Sequence, residues 1–266
     1  DYVLKQVEQP KNSRETLRTL LDGFYSKFLI EGYRGVIPPT ISRRKGIKRL
    51  RKEDQYNGIL RMVRFFGPKD SVLEVGCGNG SLSKRLSHLF PHVVGIDYDS
   101  KLLDKICRKK HKENLSFYSL DFFKETLEGE FDLIVGLHAC GSLTDRLLLE
   151  SINQNADTVV VPCCYGKINE GKIPFPRSIE LSKRSDNLKD VLKKAAALEC
   201  CTWNKSREGV MRQIYRRLFD LDRLCHLNEN GYSTYFLRLT GEFVEDSNGK
   251  KHETSSLDTA IVAKKC

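Results

Sequence analysis

The sequence predicts an α/β fold: a seven-stranded, mainly parallel sheet with helices on both faces, behind a helical, basic extension over residues 1–68. Three observations predict it. From Lys69 onward, short apolar runs alternate with amphipathic stretches, the pattern of strand–helix–strand units that build a parallel sheet. The first run, Val72-Leu73-Glu74-Val75, breaks into Gly76, Gly78 and Gly80 before a helical pattern opens at Ser81. The last two runs are separated only by the polar, turn-like stretch from Gly241 to Glu253, which makes them a hairpin and the final strand antiparallel.

Taken in order, Ser13 to Glu31 places Leu17, Leu20, Leu21, Phe24 and Phe28 on one helical stripe, ended by Gly32 to Pro39. A second helix is expected from Lys48 to Phe66, carrying Leu50, Ile59, Leu60, Val63 and Phe66 and stopped by Gly67-Pro68. Both stripes need covering and are expected to pack against the domain that follows, residues 69–266. There, strands are expected at 71–76, 92–97, 114–119, 131–137, 157–162, 232–239 and 257–263, with helices at 80–90, 99–111, 143–154, 187–200 and 206–230. Residues 165–187 form a long connection containing Gly166, Gly171, Pro174 and Pro176, and connections of that length are commonly functional.

Composition narrows the setting. A chain of 266 residues can bury one sizeable core. No apolar run approaches the roughly 18 residues of a membrane-spanning helix, which excludes that class. The sequence opens on Asp1 without a signal peptide, as expected of a fragment. Nine cysteines, at 77, 107, 140, 163, 164, 200, 201, 225 and 266, include two adjacent pairs and no Cys-x-x-Cys. That usage fits a reducing intracellular compartment, cytoplasm or nucleus, and gives no structural zinc site of standard spacing. The net charge of +10 points to an acidic partner, nucleic acid first. Arg43, Arg44, Lys45, Lys48, Arg49, Arg51 and Lys52 form one basic cluster, and Arg207, Arg212, Arg216 and Arg217 form another. Either could contact phosphates, or could simply be a solvated helix face.

A strand, a glycine turn and a helix N-terminus set backbone amides against a ligand. The dinucleotide fingerprint is Gly-x-Gly-x-x-Gly, but here the spacing is Gly-x-Gly-x-Gly, with Ser81 where the third glycine would fall. Glu74 would repel a pyrophosphate and suits a cationic ammonium group, which disfavours a nicotinamide oxidoreductase. These residues resemble motif I of the class I S-adenosylmethionine (SAM) methyltransferases, a Rossmann-like fold. The resemblance implies that Glu74 and the turn of Gly76, Cys77, Gly78 and Gly80 hold the amino acid end of SAM. Asp97, followed by Tyr98, ends the second strand and would accept the ribose hydroxyls. Asp121, followed by Phe122, ends the third and would face the adenine amino group. Helix N-cap or turn aspartates are the alternative for both.

The fourth and fifth strands should deliver His138, Cys140, Cys163, Cys164 and Tyr165 to one mouth, because ligands in doubly wound sheets bind beyond the strand carboxyl ends. His138 could take a proton from an acceptor. Cys140 or Cys163 could attack a pyrimidine ring if its thiol were activated. The cysteines could equally be small buried hydrophobes, and a metal is not expected because His-x-Cys with Cys-Cys is no standard zinc spacing.

Leu137-His138-Ala139-Cys140-Gly141-Ser142-Leu143-Thr144-Asp145, with Pro162-Cys163-Cys164-Tyr165-Gly166, resembles the methyltransferase domain of the glutathione S-transferase C-terminal domain-containing proteins. Phe175-Pro176-Arg177-Ser178, Leu221-Asp222-Arg223 before Gly231-Tyr232, and Arg51-Lys52 with Gln55 extend the likeness over about residues 48–263. A more distant likeness is to tRNA 2′-O-methyltransferases of the acceptor stem. The chain departs from its nearer likeness in the Glu74–Gly78 form of motif I and in Leu257-Asp258-Thr259-Ala260 near the end. These resemblances imply a SAM-dependent methyltransferase acting on RNA, tRNA or another structured RNA. The alternatives are a non-catalytic RNA-binding module of the same fold, or a protein methyltransferase.

Overall fold

The computed structural model describes residues 52–125, 128–165, 168, 176–183, 207–239, 244–245, 251–252 and 259–266. The helices expected at 13–31 and 187–200, the basic residues from Arg43 to Arg51, and Gly166 lie outside them.

Seven strands form the main sheet: β1 (Ser71–Val75), β2 (His92–Asp97), β3 (Leu115–Ser119), β4 (Leu133–Cys140), β5 (Asp157–Cys163), β6 (Tyr232–Arg238) and β9 (Thr259–Lys265). Their order is β3-β2-β1-β4-β5-β9-β6. The first five run parallel, and β9 pairs antiparallel with both β5 and β6. This is the class I methyltransferase arrangement. The two-residue strands β7 (Val244–Glu245) and β8 (Lys251–His252) pair within the stretch read as a hairpin connection.

Each face of the sheet is buried, so its strands are apolar on both sides. On one face, α1 (Lys52–Val63), a 3₁₀ turn (Arg64–Phe66) and α2 (Ser81–Leu86) pack Tyr56, Ile59, Val63, Phe66, Leu82 and Leu86 on Val72, Val93, Leu133, Val135, Val159 and Val262. On the other, α4 (Ser142–Gln154) and α6 (Arg207–Glu229) set Leu147, Leu148, Leu224 and Leu227 against Leu73, Val75, Ile134, Val160 and Ile261. Helix α1 meets β6 closely at Gly58, where a Cβ would stand 2.4 Å from the Leu239 carbonyl oxygen. Arg61 Nη2 donates to that same oxygen at 2.7 Å. The short helix α5 (Ile179–Ser182) lies in the long connection after β5, capped by Ser178, whose hydroxyl accepts from Leu181 N.

Several boundaries differ from the sequence expectation for local reasons. Helix α3 (Ser100–Cys107) starts on the Asp99 cap and stops short of residue 111, where the Ile106 carbonyl accepts from Lys109 N at 2.9 Å and meets the His111 ring at 2.7 Å. Helix α2 ends at Leu86 and passes into a turn. Strand β4 runs on through Cys140 rather than ending at 137, by way of a bulge between Leu137 and Ala139. Strand β9 is displaced two residues toward the C-terminus, since Ala260–Ala263 fill both faces of the core.

Candidate functional site

The glycine turn begins where β1 ends. Gly76, Gly78 and Gly80 have φ of 73°, 55° and 69°, a left-handed run that side chains other than glycine resist. The Gly76 and Cys77 amides both donate to Ile96 O at 2.9 Å, fastening the turn to β2. Gly80 must be glycine for a second reason: a Cβ there would lie 2.7 Å from the Phe117 ring. Gly78 is different. A Cβ at that position would meet nothing within 4 Å, so the turn faces open space at its centre. Gly78 N donates to Asp97 Oδ2 at 2.9 Å, and Asp99 N to Asp97 Oδ1 at 3.1 Å. The carboxylate at the tip of β2 is therefore held beside that opening.

Other residues expected around the donor have different surroundings. Glu74 is 2% exposed, and Ser83 of α2 donates its hydroxyl to Glu74 Oε2. Burial pushes its carboxyl up to about 8, so it is mainly protonated at neutral pH and turned to α2 rather than to the opening. The expected ammonium contact is corrected accordingly. Cys77 packs its side chain with Leu103 and Ile106, and its amide and carbonyl are bonded within the turn to Ile96 O and Gly80 N. Asp121 forms a turn, with Phe123 N donating to Oδ1 at 3.1 Å and Lys124 paired to Oδ2 at 2.8 Å. Phe122 is core, with the Arg146 guanidinium 4.7 Å over its ring, which removes it from a ligand surface. Tyr98 is 83% exposed.

The β4–β5 ends meet through the bulge. His138, the extra residue, has φ of 59°, and the register resumes with Ala139 opposite Pro162 and Cys140 opposite Cys163. Proline has no amide to give a ladder, so it is tolerated where the ladder is interrupted. His138 Nε2 meets Gln55 Oε1 of α1 at 2.9 Å. An amide oxygen only accepts, which puts the ring proton on Nε2 and makes Nδ1 the basic nitrogen. Cys140 Sγ and Cys163 Sγ are 2.8 Å apart, and Cys163 Sγ also donates to His138 O at 3.3 Å. Bonding to Cys140 and then burial hold the Cys163 thiol far above its ordinary range. His138, Cys140, Cys163 and Cys164 are thus brought together.

Tyr165 is not part of that mouth. It is 3% exposed, with its hydroxyl donating to both Asp220 oxygens at 2.6 and 2.8 Å. Arg216 and Arg223 lie over its ring at 4.7 and 5.4 Å. Within the second basic cluster, Arg216 is 5% exposed and takes up this ring contact, while the side chains of Arg207, Arg212 and Arg217 lie outside those described. Behind the mouth, Arg223 clamps Asp145 of α4 through Nε at 2.7 Å and Nη2 at 2.9 Å, and reaches Gly141 O at 3.3 Å. Arg177 also pairs with Asp145, and burial pushes its guanidinium down to about 10. Asp222 accepts from the Arg177 and Ser178 amides and from the Ser178 hydroxyl. Sequence reasoning missed this network as machinery, though Asp145, Arg177, Asp222 and Arg223 all sat in the motifs carrying the resemblance. Its direct signal was polar residues within the buried stripes of α4 and α6. A separate hollow of about 430 Å³ lies by the amino ends of the strands, lined by residues including Arg64, Lys69, Asp70 and Phe90. It is at the wrong end of a parallel sheet for the fold's ligand site.

Comparison with known proteins bears on this arrangement. Residues 54–171 match the family model of a methyltransferase domain. The chain is 30% identical over 223 residues to the glutathione S-transferase C-terminal domain-containing protein of Bos taurus, covering 80% of this chain and 35% of that protein. It is 28% identical over 204 residues to the homolog from Drosophila melanogaster, covering 73% and 34%. The chain therefore spans about a third of the length of these curated relatives. Among solved structures, the methyltransferase domain of bacterial CtHen1-CN aligns with a TM-score of 0.47 at 13% identity, over 80% of this chain and 99% of that one.

Proposed function

We propose that this chain, which carries a methyltransferase domain, binds SAM at the carboxyl ends of β1 and β2 and methylates an RNA acceptor at the mouth formed by β4 and β5. One observation carries the donor reading: open space over the left-handed Gly78, with its amide bonded to the Asp97 carboxylate. The turn would take the amino acid end and Asp97 the ribose hydroxyls, each through hydrogen bonds the fold has oriented in advance. When bound, SAM supplies an electrophilic sulfonium methyl. His138, with its ring proton on Nε2 against Gln55, would receive the acceptor's proton on Nδ1. Cys140, Cys163 and Cys164 shape the wall beside it.

The net charge of +10 and the seven basic residues within 43–52 support RNA as the acceptor, since phosphate contacts need dense positive charge and no sequence readout. Two measurements test the proposal. Calorimetric titration should show SAM binding that Asp97→Ala weakens strongly; unchanged binding by that variant would refute the donor site. Labelled methyl transfer should then appear in total cellular RNA rather than total protein. Label in protein alone overturns the RNA reading, and SAM binding without transfer to either leaves a binding module.

A further inference from the structure

We propose that Cys140, Cys163 and Cys164 form a site for a thiophilic divalent metal ion of the zinc class. The three Sγ atoms all lie within 4.8 Å of one another. A tetrahedral ion with metal–sulfur bonds of about 2.3 Å sets its thiolates about 3.8 Å apart, so the cluster needs only small rotamer changes to close on an ion. The sequence spacing concealed it, because the ligands come from two strands. The His138 bulge creates it: in an uninterrupted ladder Cys140 would stand opposite Cys164, whereas the bulge sets it opposite Cys163. The next residue after that pairing, Cys164, has φ of 47°, a left-handed turn that lets a vicinal pair contribute two sulfurs to one point.

Three thiolates around a divalent ion leave one negative charge, and the surroundings oppose it. The N-terminus of the 13-residue helix α4 begins two residues after Cys140. Arg223 is bonded to Gly141 O, and Gly141 N donates to Cys163 O at 2.9 Å. Three protein ligands are the count of a catalytic rather than a structural zinc site, with the fourth position left to water or to an acceptor atom. Cys140 and Cys164 are half-buried while Cys163 is buried, so the cluster has a solvent side where that fourth ligand can enter. The expectation of no metal rested on linear spacing alone. The site is independent of the SAM reading, and its test does not use methyl transfer.

The experiment uses the full chain, purified reduced and without chelators. Inductively coupled plasma mass spectrometry and competitive titration should give one zinc per chain. Anaerobic replacement by Co²⁺ should produce the near-ultraviolet sulfur-to-cobalt charge-transfer band. Cys140→Ser, Cys163→Ser and Cys164→Ser should each weaken zinc by at least about tenfold, with the cobalt band reduced. Cys107→Ser, which alters an exposed thiol on α3, should change neither reading. Failure of the wild type to take up zinc or show the band overturns the site. So does equal uptake by the folded triple serine variant, or a Cys140–Cys163 disulfide persisting in reduced protein.

Discussion

Replacing Arg223 with methionine should unfold this protein at markedly lower temperature. The side chain is 1% exposed and makes two charge-assisted bonds to Asp145, one to Asp220 at 3.2 Å and one to Gly141 O. Methionine fills similar volume, so the loss is electrostatic rather than a cavity. Asp145 is fully buried and keeps only Arg177 among the described ion pairs. Removing one partner from a buried ion network costs about 3–5 kcal/mol, because the remaining charge stays desolvated. At roughly 2–4 °C per kcal/mol for a chain of this size, Tm should fall by about 6–20 °C. Urea unfolding followed by circular dichroism gives the free energy directly, and Arg223→Lys should fall between, keeping the charge without the planar fork. A loss below about 1 kcal/mol would falsify the claim that Asp145 depends on this clamp. Because Arg223 also holds the Gly141 carbonyl, alkylation of Cys163 should quicken in the variant.

Three further outcomes follow from the geometry. Gly78→Ala should cost only about 1–2 kcal/mol of stability, the strain of a left-handed alanine, while weakening SAM binding far more; equal losses in melts and titrations would contradict an open ligand face at Gly78. Gly58→Ala should cost at least about 1–3 kcal/mol, because its Cβ would press on a backbone oxygen that cannot rotate away; an unchanged denaturation midpoint would show that α1 can shift. Glu74 keeps its proton when folded up to about pH 8 but loses it near 4.5 when unfolded. The folded state thus holds more protons between those values, and stability should decline as pH rises through the window, by roughly 4 kcal/mol in total. Glu74→Gln should flatten that decline in urea titrations run at pH 5, 6.5 and 8, and a wild-type slope retained by the variant would assign it to another group.

The strands were legible because a sheet buried on both faces writes unbroken apolar runs, as in Val72–Val75 and Val159–Val161. The glycine turn was legible too, since left-handed backbone restricts residue choice so strongly. Side-chain direction was not. Glu74 lies two residues before the first glycine in either reading, but whether it faces a ligand or Ser83 depends on how α2 docks. Tyr165 and Arg216 were assigned to surfaces from neighbours in sequence, whereas their partners are 55 residues apart or on another element. The thiol cluster depends on a one-residue bulge, and no periodicity records a bulge before the strands are paired.

The insertion of β9 between β5 and β6 has a consequence for synthesis. When β6 has left the ribosome, Thr259–Lys265 has not, and the outer edge of β5 and the inner edge of β6 have no partner yet. Both edges belong to strands with apolar faces, the kind that pair with other chains when left open. Ala260 and Val262 complete one layer of the core and Ile261 and Ala263 the other, so neither layer is complete in a nascent chain until this segment arrives. Completion of the sheet therefore waits for Thr259–Lys265, which enters a slot already bounded on both sides. A stop codon before residue 259 would yield an aggregating product rather than a shortened but folded domain.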